Sequence, residues 1–438
     1  MRQRIAGACV AVGAAVVGLV VVRGKMHGPS LPAVAMAPPA VVELPALPGP
    51  KAPPTPATPP LAGLDLLHIA LGDDGATAPA AEHRVAHLTL DPELQRAADR
   101  VMDTHHLPEA AVVLVDVASG KLLAYASHME KGDRRDLCAE ATAPSASVFK
   151  IVTGAALVED AGLSPDTREC YSGGEQKLLP SDIEDDPRRD RWCTTLAGAM
   201  GHSTNAVFAK LALHDLKRAS LEAMATRLGY GEPVPFDVPV QPSTLTLPSD
   251  PLGYARTAAG FWSSTLSPLQ AAWLSATVAR GGEAPKLSIV SDVEDAHDNT
   301  VYESPEPSVV RRALQRDTAA ALTRMMEVTV TEGTSYKAFH DHGLSFLPGI
   351  AVAGKTGTLT NAQEQRYYTW FTGFAPSRPI EGAKQVAVAV LVVNGPQWHV
   401  KANVIAREML REYFARNHAP GVSAPTVRAE ASAIARRE

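Results

Sequence analysis

Between Pro29 and Pro60 the chain reads PSLPAVAMAPPAVVELPALPGPKAPPTPATPP, and about a third of its 35 prolines fall there. Each proline fixes φ and removes a backbone donor, so this stretch cannot enter a helix or a sheet ladder. It is expected to run as extended polyproline II at about 3 Å per residue, a reach on the order of 100 Å. A packed core must therefore lie beyond it. Before it, Ala6 to Val22 is free of charge and is flanked by Arg2 and Arg4 on one side and Arg23 and Lys25 on the other. That length is near the lower limit for a spanning helix. Two cations and Pro29 precede the small residues that a cleavage site would use, so an uncleaved signal anchor is preferred to a cleaved signal peptide. The expected organisation is residues 1–27 as cytoplasmic tip and transmembrane anchor, 28–63 as linker, 64–416 as the globular part with its core from about 88, and 417–438 as a disordered tail.

The globular part is long enough for one two-lobed domain. Asp91 caps a helix that Pro92 opens, with Leu94, Ala97, Ala98, Val101 and Met102 at helical spacing. VVLVDV (112–117) and KLLAYA (121–126) around Ser119-Gly120 read as a hairpin. Thr369–Phe374 and Gln385–Val393 read as late strands, and Ala402–Phe414 as a final helix. Between them the pattern is mostly helical, over 145–160, 195–213, 218–228, 267–280 and 317–331. Strands from both chain ends are thus expected to form one sheet with a helical lobe inserted, leaving a cleft between. A net charge of −6 over 438 residues argues against a nucleic-acid binder. Four cysteines in a chain this long do not make a disulfide scaffold.

Three short motifs carry chemistry. Ser147 and Lys150 are three apart at a helix start, so they share a face, and the neighbours Val148, Phe149, Ile151 and Val152 are apolar. A buried lysine favours its neutral form and can take a proton from a serine that is a poor nucleophile alone. A capping serine beside an outward lysine is the plainer reading of this motif. Ser203-Thr204-Asn205 offers a hydroxyl for proton relay and an amide for a substrate carbonyl, or simply a helix cap. Lys355-Thr356-Gly357-Thr358 follows Gly349–Gly354, which reads as a strand with a glycine near its end, a mark of close approach. There Lys355 offers a point charge for a carboxylate and the threonines offer hydroxyl donors.

Each motif occurs in this order, about 56 and then about 150 residues apart. Together they resemble the Ser-x-x-Lys, Ser-x-Asn and Lys-Thr-Gly set of the penicillin-binding proteins and serine β-lactamases. Leu88–Asp91 with Leu94-Gln95, Val115-Asp116 through Gly120, Ser267–Ala271, Gly281-Gly282 with Pro285, Gly333-Thr334 and Trp370–Pro376 are also similar to penicillin-binding transpeptidase domains. The resemblance spans about 88–415. It implies an α/β fold of the β-lactamase/D,D-peptidase kind, an antiparallel sheet flanked by helices plus an all-helical lobe. By the same resemblance Ser147 is the acylated nucleophile, Lys150 its base, Ser203 a relay to the leaving D-alanine nitrogen and Asn205 a hold on the substrate backbone. Lys355 and Thr356 would shape the field at Ser203, and Thr356 or Thr358, beside Gly357, would bind the terminal carboxylate. The N–H groups of Ser147 and Thr358 would form the oxyanion hole. No metal or cofactor is implied, and His340-Asp341-His342 reads as a polar loop.

The implied partners are peptidoglycan stem peptides, β-lactams, the cytoplasmic membrane of a bacterium with the domain on its periplasmic side, and other cell-wall synthesis proteins. The chain departs from the family in having Ser145-Ala146 where Pro-Gly often precedes the serine. It also leaves no room in 64–87 for a large pedestal, and no glycosyltransferase domain is expected ahead of the transpeptidase region. Cys170 and Cys193 flank a charged loop, and an extracytoplasmic location would permit a disulfide between them, although two separate thiols remain an equal alternative. A β-lactamase is the competing enzyme, but no Glu-x-x-Leu-Asn segment lies between Asn205 and Lys355. A non-catalytic β-lactam sensor or scaffold is the third reading.

Overall fold

The computed structural model describes residues 58–417 except 176, 397 and 399, together with Val422. The expectations for the anchor, for most of the linker and for the tail beyond 417 lie outside the described residues. Among the described residues no helix is long and apolar enough to cross a membrane.

In chain order the elements are β1 (Ala70–Leu71), β2 (Ala76–Ala80), β3 (Arg84–Leu88), α1 (Pro92–Thr104), β4 (Glu109–Asp116) and β5 (Leu122–Met129). A 3₁₀ turn at Ala146–Phe149 runs into α2 (Lys150–Glu159). Then come β6 (Arg168–Tyr171), β7 (Trp192–Thr195), α3 (Leu196–His202), α4 (Asn205–Asp215), α5 (Arg218–Arg227), α6 (Pro251–Ala258) and α7 (Pro268–Ala279). The last part holds β8 (Val290–Glu294), β9 (Thr300–Glu303), α8 (Arg316–Thr331), β10 (Ala353–Asn361), β11 (Arg366–Ala375), β12 (Val386–Asn394) and α9 (Ala402–Arg416). Other short pieces are left unlabelled.

The main sheet has the order β10-β11-β12-β4-β5, antiparallel throughout. Chain-end strands meet at its centre, where Val388 pairs with Leu114 and Val390 with Val112. All nine residues of β12 are buried, because both sheet faces are covered. Its alternation divides them: Val386, Val388, Val390 and Val392 pack with Leu94 and Met102 of α1 and Ile405 and Leu410 of α9. Ala387, Ala389, Leu391 and Val393 face the opposite core, with Leu269 and Trp273 of α7 and Ile151 of α2. Burying a valine on either side stabilises the fold by roughly 1.5–3 kcal/mol.

The middle of the chain departs from a purely helical lobe. β8 and β9 lie within it and extend a second sheet, β1-β2-β3-β8-β9. These strands are short and half-exposed, with Asp292, Glu294, Thr300 and Glu303 among their residues, so they lack the apolar alternation that announces a strand. The partner of β8, β3, lies about 200 residues away in sequence, and β9 pairs with β8 alone. The single helix expected over 195–213 is two helices, because Ser203 adopts a left-handed backbone (φ 58°) that ends α3. Helix α6 was not foreseen. The strand expected over 349–354 starts later, at Ala353, and continues to Asn361, its register set by pairing with β11. The chain from 58 to 63 already contacts the sheet region: Arg84 donates to the carbonyl of Pro59 at 3.0 Å, and Ala81 N–H to that of Ala62 at 2.8 Å.

Candidate active site

The turn that carries Ser147 is held from several directions. Trp370 of β11 donates through Nε1 to the Pro144 carbonyl at 2.9 Å, and Ser145 N–H donates to the Ser264 carbonyl at 3.0 Å. Ser145 does not cap the helix through its side chain; its hydroxyl instead lies 3.1 Å from the Tyr230 hydroxyl, which donates to it. Ala146 sits at φ 48°, a left-handed conformation that a residue with a Cβ holds only when its surroundings impose it. Two glycines permit this. A Cβ on Gly260 would lie 2.3 Å from the Ala146 carbonyl oxygen, and one on Gly357 would lie 3.1 Å from the Ala146 Cβ. The glycine Gly354, read as a sign of close approach, faces the ring of Phe371, which a Cβ there would meet at 2.3 Å.

Lys150 opens α2 and is wholly buried. Its Nζ donates to Ser147 Oγ at 2.9 Å, Asn205 Oδ1 at 2.7 Å and the Ala259 carbonyl at 2.5 Å. Burial, and then the charge of Lys355, hold its pKa well below the ordinary lysine value. A neutral amine keeps two of these donor contacts and turns its lone pair on the third, and Ser147 is the one of the three that carries a proton to give. Lys355, also wholly buried, donates to Ser203 Oγ at 3.0 Å and to the Thr356 carbonyl at 2.9 Å. Desolvation lowers its pKa to about 7.

The left-handed Ser203 at the end of α3 aims its hydroxyl at β10, while Asn205 starts α4 and donates through Nδ2 to the Glu175 carbonyl at 2.9 Å. Ser147, Ser203, Asn205, Thr356, Gly357 and Thr358 line one cleft of about 350 Å³, with Lys150 and Lys355 buried beneath it. All of the catalytic and substrate-binding residues proposed from sequence therefore meet in one place. β10 is the edge strand of the sheet, so part of its backbone donors face away from β11 and toward the cleft.

Sequence reasoning did not assign roles to three further contributors. Thr334 Oγ1 lies 2.6 Å from Thr356 Oγ1 and 3.3 Å from the Gly201 carbonyl, bridging β10 to the helix before Ser203. The Ala259 and Glu175 carbonyls are backbone acceptors, which side-chain motifs do not reveal. Gly333-Thr334 was visible as a dipeptide, but its partner residues were not. Cys170 and Cys193 pair as a disulfide across β6 and β7. His340-Asp341 lies in a surface hairpin with residues 344–345, and the His340 ring stacks on Tyr336.

A serine hydroxyl and a depressed lysine at the floor of a polar cleft, on an antiparallel sheet with a lobe inserted between its strands, define the β-lactamase/D,D-peptidase class of fold. Within that class the chain belongs to the penicillin-binding protein transpeptidase domain family, whose model matches residues 110–411. The peptidoglycan D,D-transpeptidase PbpA of Mycolicibacterium smegmatis is 28% identical over 344 residues, covering 70% of this chain and 67% of that protein. A penicillin G acyl-enzyme complex of penicillin-binding protein A from Mycobacterium tuberculosis superposes with a TM-score of 0.59 at 24% identity, covering 74% of this chain and 79% of the other. The D,D-transpeptidase domain of a peptidoglycan glycosyltransferase from Eggerthella lenta gives 0.62 at 24% identity, with 76% and 83% covered.

Proposed function

We propose that this chain is a peptidoglycan D,D-transpeptidase that works through an acyl-enzyme on Ser147 and is acylated there by β-lactams. The observation that carries the reading is the 2.9 Å contact between Ser147 Oγ and a wholly buried Lys150, whose other acceptors are the neutral Asn205 amide oxygen and the Ala259 carbonyl. The family and the relatives named above support the same activity.

In the proposed reaction Lys150 takes the Ser147 proton as Oγ attacks the carbonyl of the penultimate D-alanine. The oxyanion forms against the backbone N–H groups of Ser147 and Thr358. The Lys150 proton reaches the leaving D-alanine nitrogen through Ser203, which Lys355 orients. Asn205 holds the peptide backbone, while Thr356, Gly357 and Thr358 receive the terminal carboxylate. An amine then attacks the ester, with its proton returning along the same route; water in that place would make the enzyme a carboxypeptidase. We read residues 64–416 as the catalytic domain, held on the periplasmic side of the bacterial cytoplasmic membrane by the anchor in 1–27 and the linker in 28–63, with 417–438 as a tail. Other cell-wall synthesis proteins are the partners this placement suggests.

The test is labelling of the full-length protein in detergent with a fluorescent penicillin. Wild type is expected to take up label once and hold it, and Ser147→Ala to take up none. A D-Ala-D-Ala peptide should release D-alanine faster when an acceptor amine is added. Wild type that fails to label would overturn the acyl-enzyme, and rapid release of the label would make the protein a β-lactamase.

A further inference from the structure

Residues 169–191 carry a set of charges that the acyl-transfer chemistry does not use. Lys210 of α4 is only 1% exposed. Its ammonium donates to Asp190 Oδ2 at 2.7 Å and to the Cys170 carbonyl at 2.9 Å, with Asp185 Oδ1 at 2.9 Å and Glu169 Oε1 at 3.4 Å. Burial alone would lower the Lys210 pKa, but its bonds to Asp190 and Asp185 outweigh burial and raise it. A buried charge held by several partners resists their separation, because leaving it unpaired costs several kcal/mol.

Every one of those partners comes from the loop or from the strand that opens it. The Cys170–Cys193 disulfide closes the same loop at its base. Arg256 of α6 donates twice to the Leu178 carbonyl, at 2.7 and 3.0 Å. Gly174 (φ 74°) lies so near the start of α4 that a Cβ on it would sit 2.8 Å from the Ala206 Cβ. The loop is thus clamped to the end of α4 that carries Asn205.

The clamp reaches the cleft at the Glu175 carbonyl. The Glu175 carbonyl accepts from Asn205 Nδ2 at 2.9 Å, while Asn205 Oδ1 accepts from Lys150 at 2.7 Å. An acceptor on one side and a donor on the other leave the amide one orientation. Without the Glu175 carbonyl, a half-turn of the amide would set Nδ2 against the Lys150 ammonium, donor against donor.

We propose that Lys210 is a positioning residue: by locking the disulfide-closed loop onto α4 it holds the Glu175 carbonyl against Asn205 and so keeps Asn205 Oδ1 turned toward Lys150. The inference rests on the acyl-enzyme reading above. Lys210 touches neither the cleft nor Ser147; it acts through the loop and the amide.

The experiment compares full-length wild type, Lys210→Met and Asp185→Asn. Acylation rates by fluorescent penicillin are measured against pH, with the end-point label counting the competent fraction and a melting curve run on each. Asp185 is 62% exposed in its side chain, so its neutral variant loosens the clamp without burying a new charge. Lys210→Met is expected to acylate at least about ten-fold more slowly per competent molecule. The midpoint of its acid limb should also move to lower pH, because a Lys150 ammonium without the Asn205 acceptor is less stable. The charged group facing Lys150 is Lys355, which both variants retain. Asp185→Asn should move both readings the same way by less, and it carries the test alone if Lys210→Met fails to fold. A lower melting temperature with a wild-type rate and an unmoved midpoint would reduce Lys210 to a structural ion pair and overturn the proposal. Wild type that does not label sinks the acyl-enzyme reading instead, and this inference with it.

Discussion

Two buried ammonium groups in one site is the unusual feature at the scale of single residues. Lys150 and Lys355 are each fully removed from solvent, and the charge of Lys355 pushes against the charged form of Lys150. Acylation through Lys150 requires its neutral form, so the rate should rise with pH and level off well below the pH where an exposed lysine titrates. Lys355→Met removes a positive charge that lowers the Lys150 pKa, so the midpoint should move to higher pH. The rate should also fall throughout, since Ser203 loses its 3.0 Å contact. Stopped-flow acylation across pH checks both signs, and a midpoint that stays put or moves down would show that Lys355 does not act on Lys150 through its charge. The reactive side chains themselves were legible in the sequence, because Ser147, Lys150, Ser203, Asn205 and Lys355 stand in recognisable short motifs. Lys210 was not, since a lysine on a helix of mixed pattern looks like an ordinary solvated charge until carboxylates from another segment surround it.

Among the elements, the turn between the strand region at 143–144 and α2 has a tightly constrained backbone, with Ala146 at φ 48°. Gly260 (φ 85°) lies against it, and an alanine there would place a Cβ 2.3 Å from the Ala146 oxygen and 3.0 Å from the Ser147 Cα. Gly260→Ala is expected to cost about 2–4 kcal/mol in stability, from the φ strain plus the clash, and to slow acylation more than about ten-fold by shifting Ser147. Gly162→Ala is the control: its φ is 71°, but nothing lies within 4 Å of the added Cβ. That variant should lose only about 1 kcal/mol of backbone strain and keep the wild-type acylation rate. Equal melting temperatures and rates for the two variants would refute the role given to Gly260. The strands of the main sheet were legible because β4 and β12 are long and apolar. The break at Ser203 was not, because its left-handed backbone is held by contacts of α3 with the region around Gly333, where a Cβ would lie 2.2 Å from the Gly201 oxygen.

Across the whole molecule, the second sheet, the β4–β5 hairpin and the helical lobe meet at one buried carboxylate. Asp237 has a fully buried side chain; its Oδ2 accepts from Ser288 Oγ at 2.7 Å, Ile289 N–H at 2.8 Å and Val290 N–H at 3.0 Å, and its Oδ1 lies 3.2 Å from Lys286 Nζ. The same segment bonds the hairpin, since Ser288 N–H donates to the Gly120 carbonyl at 3.1 Å and Leu122 N–H to the Ser288 carbonyl at 2.8 Å. Asp237→Ala strands those donors and is expected to cost about 3–5 kcal/mol. Chemical denaturation measures it, and a loss under about 1 kcal/mol would mean that the junction is held elsewhere.

The amino-acid sequence by itself determined which segments become strands and helices wherever an apolar period ran long enough, and which reactive side chains the chain carries, since both depend on residues near one another in sequence. Only the tertiary structure decided the protonation of Lys150 and Lys355, the strain at Ala146, the pairing of β3 with β8 and the surroundings of Lys210. Each of these is set by desolvation or contact among groups far apart along the chain, and such neighbours exist only once the fold has brought them together.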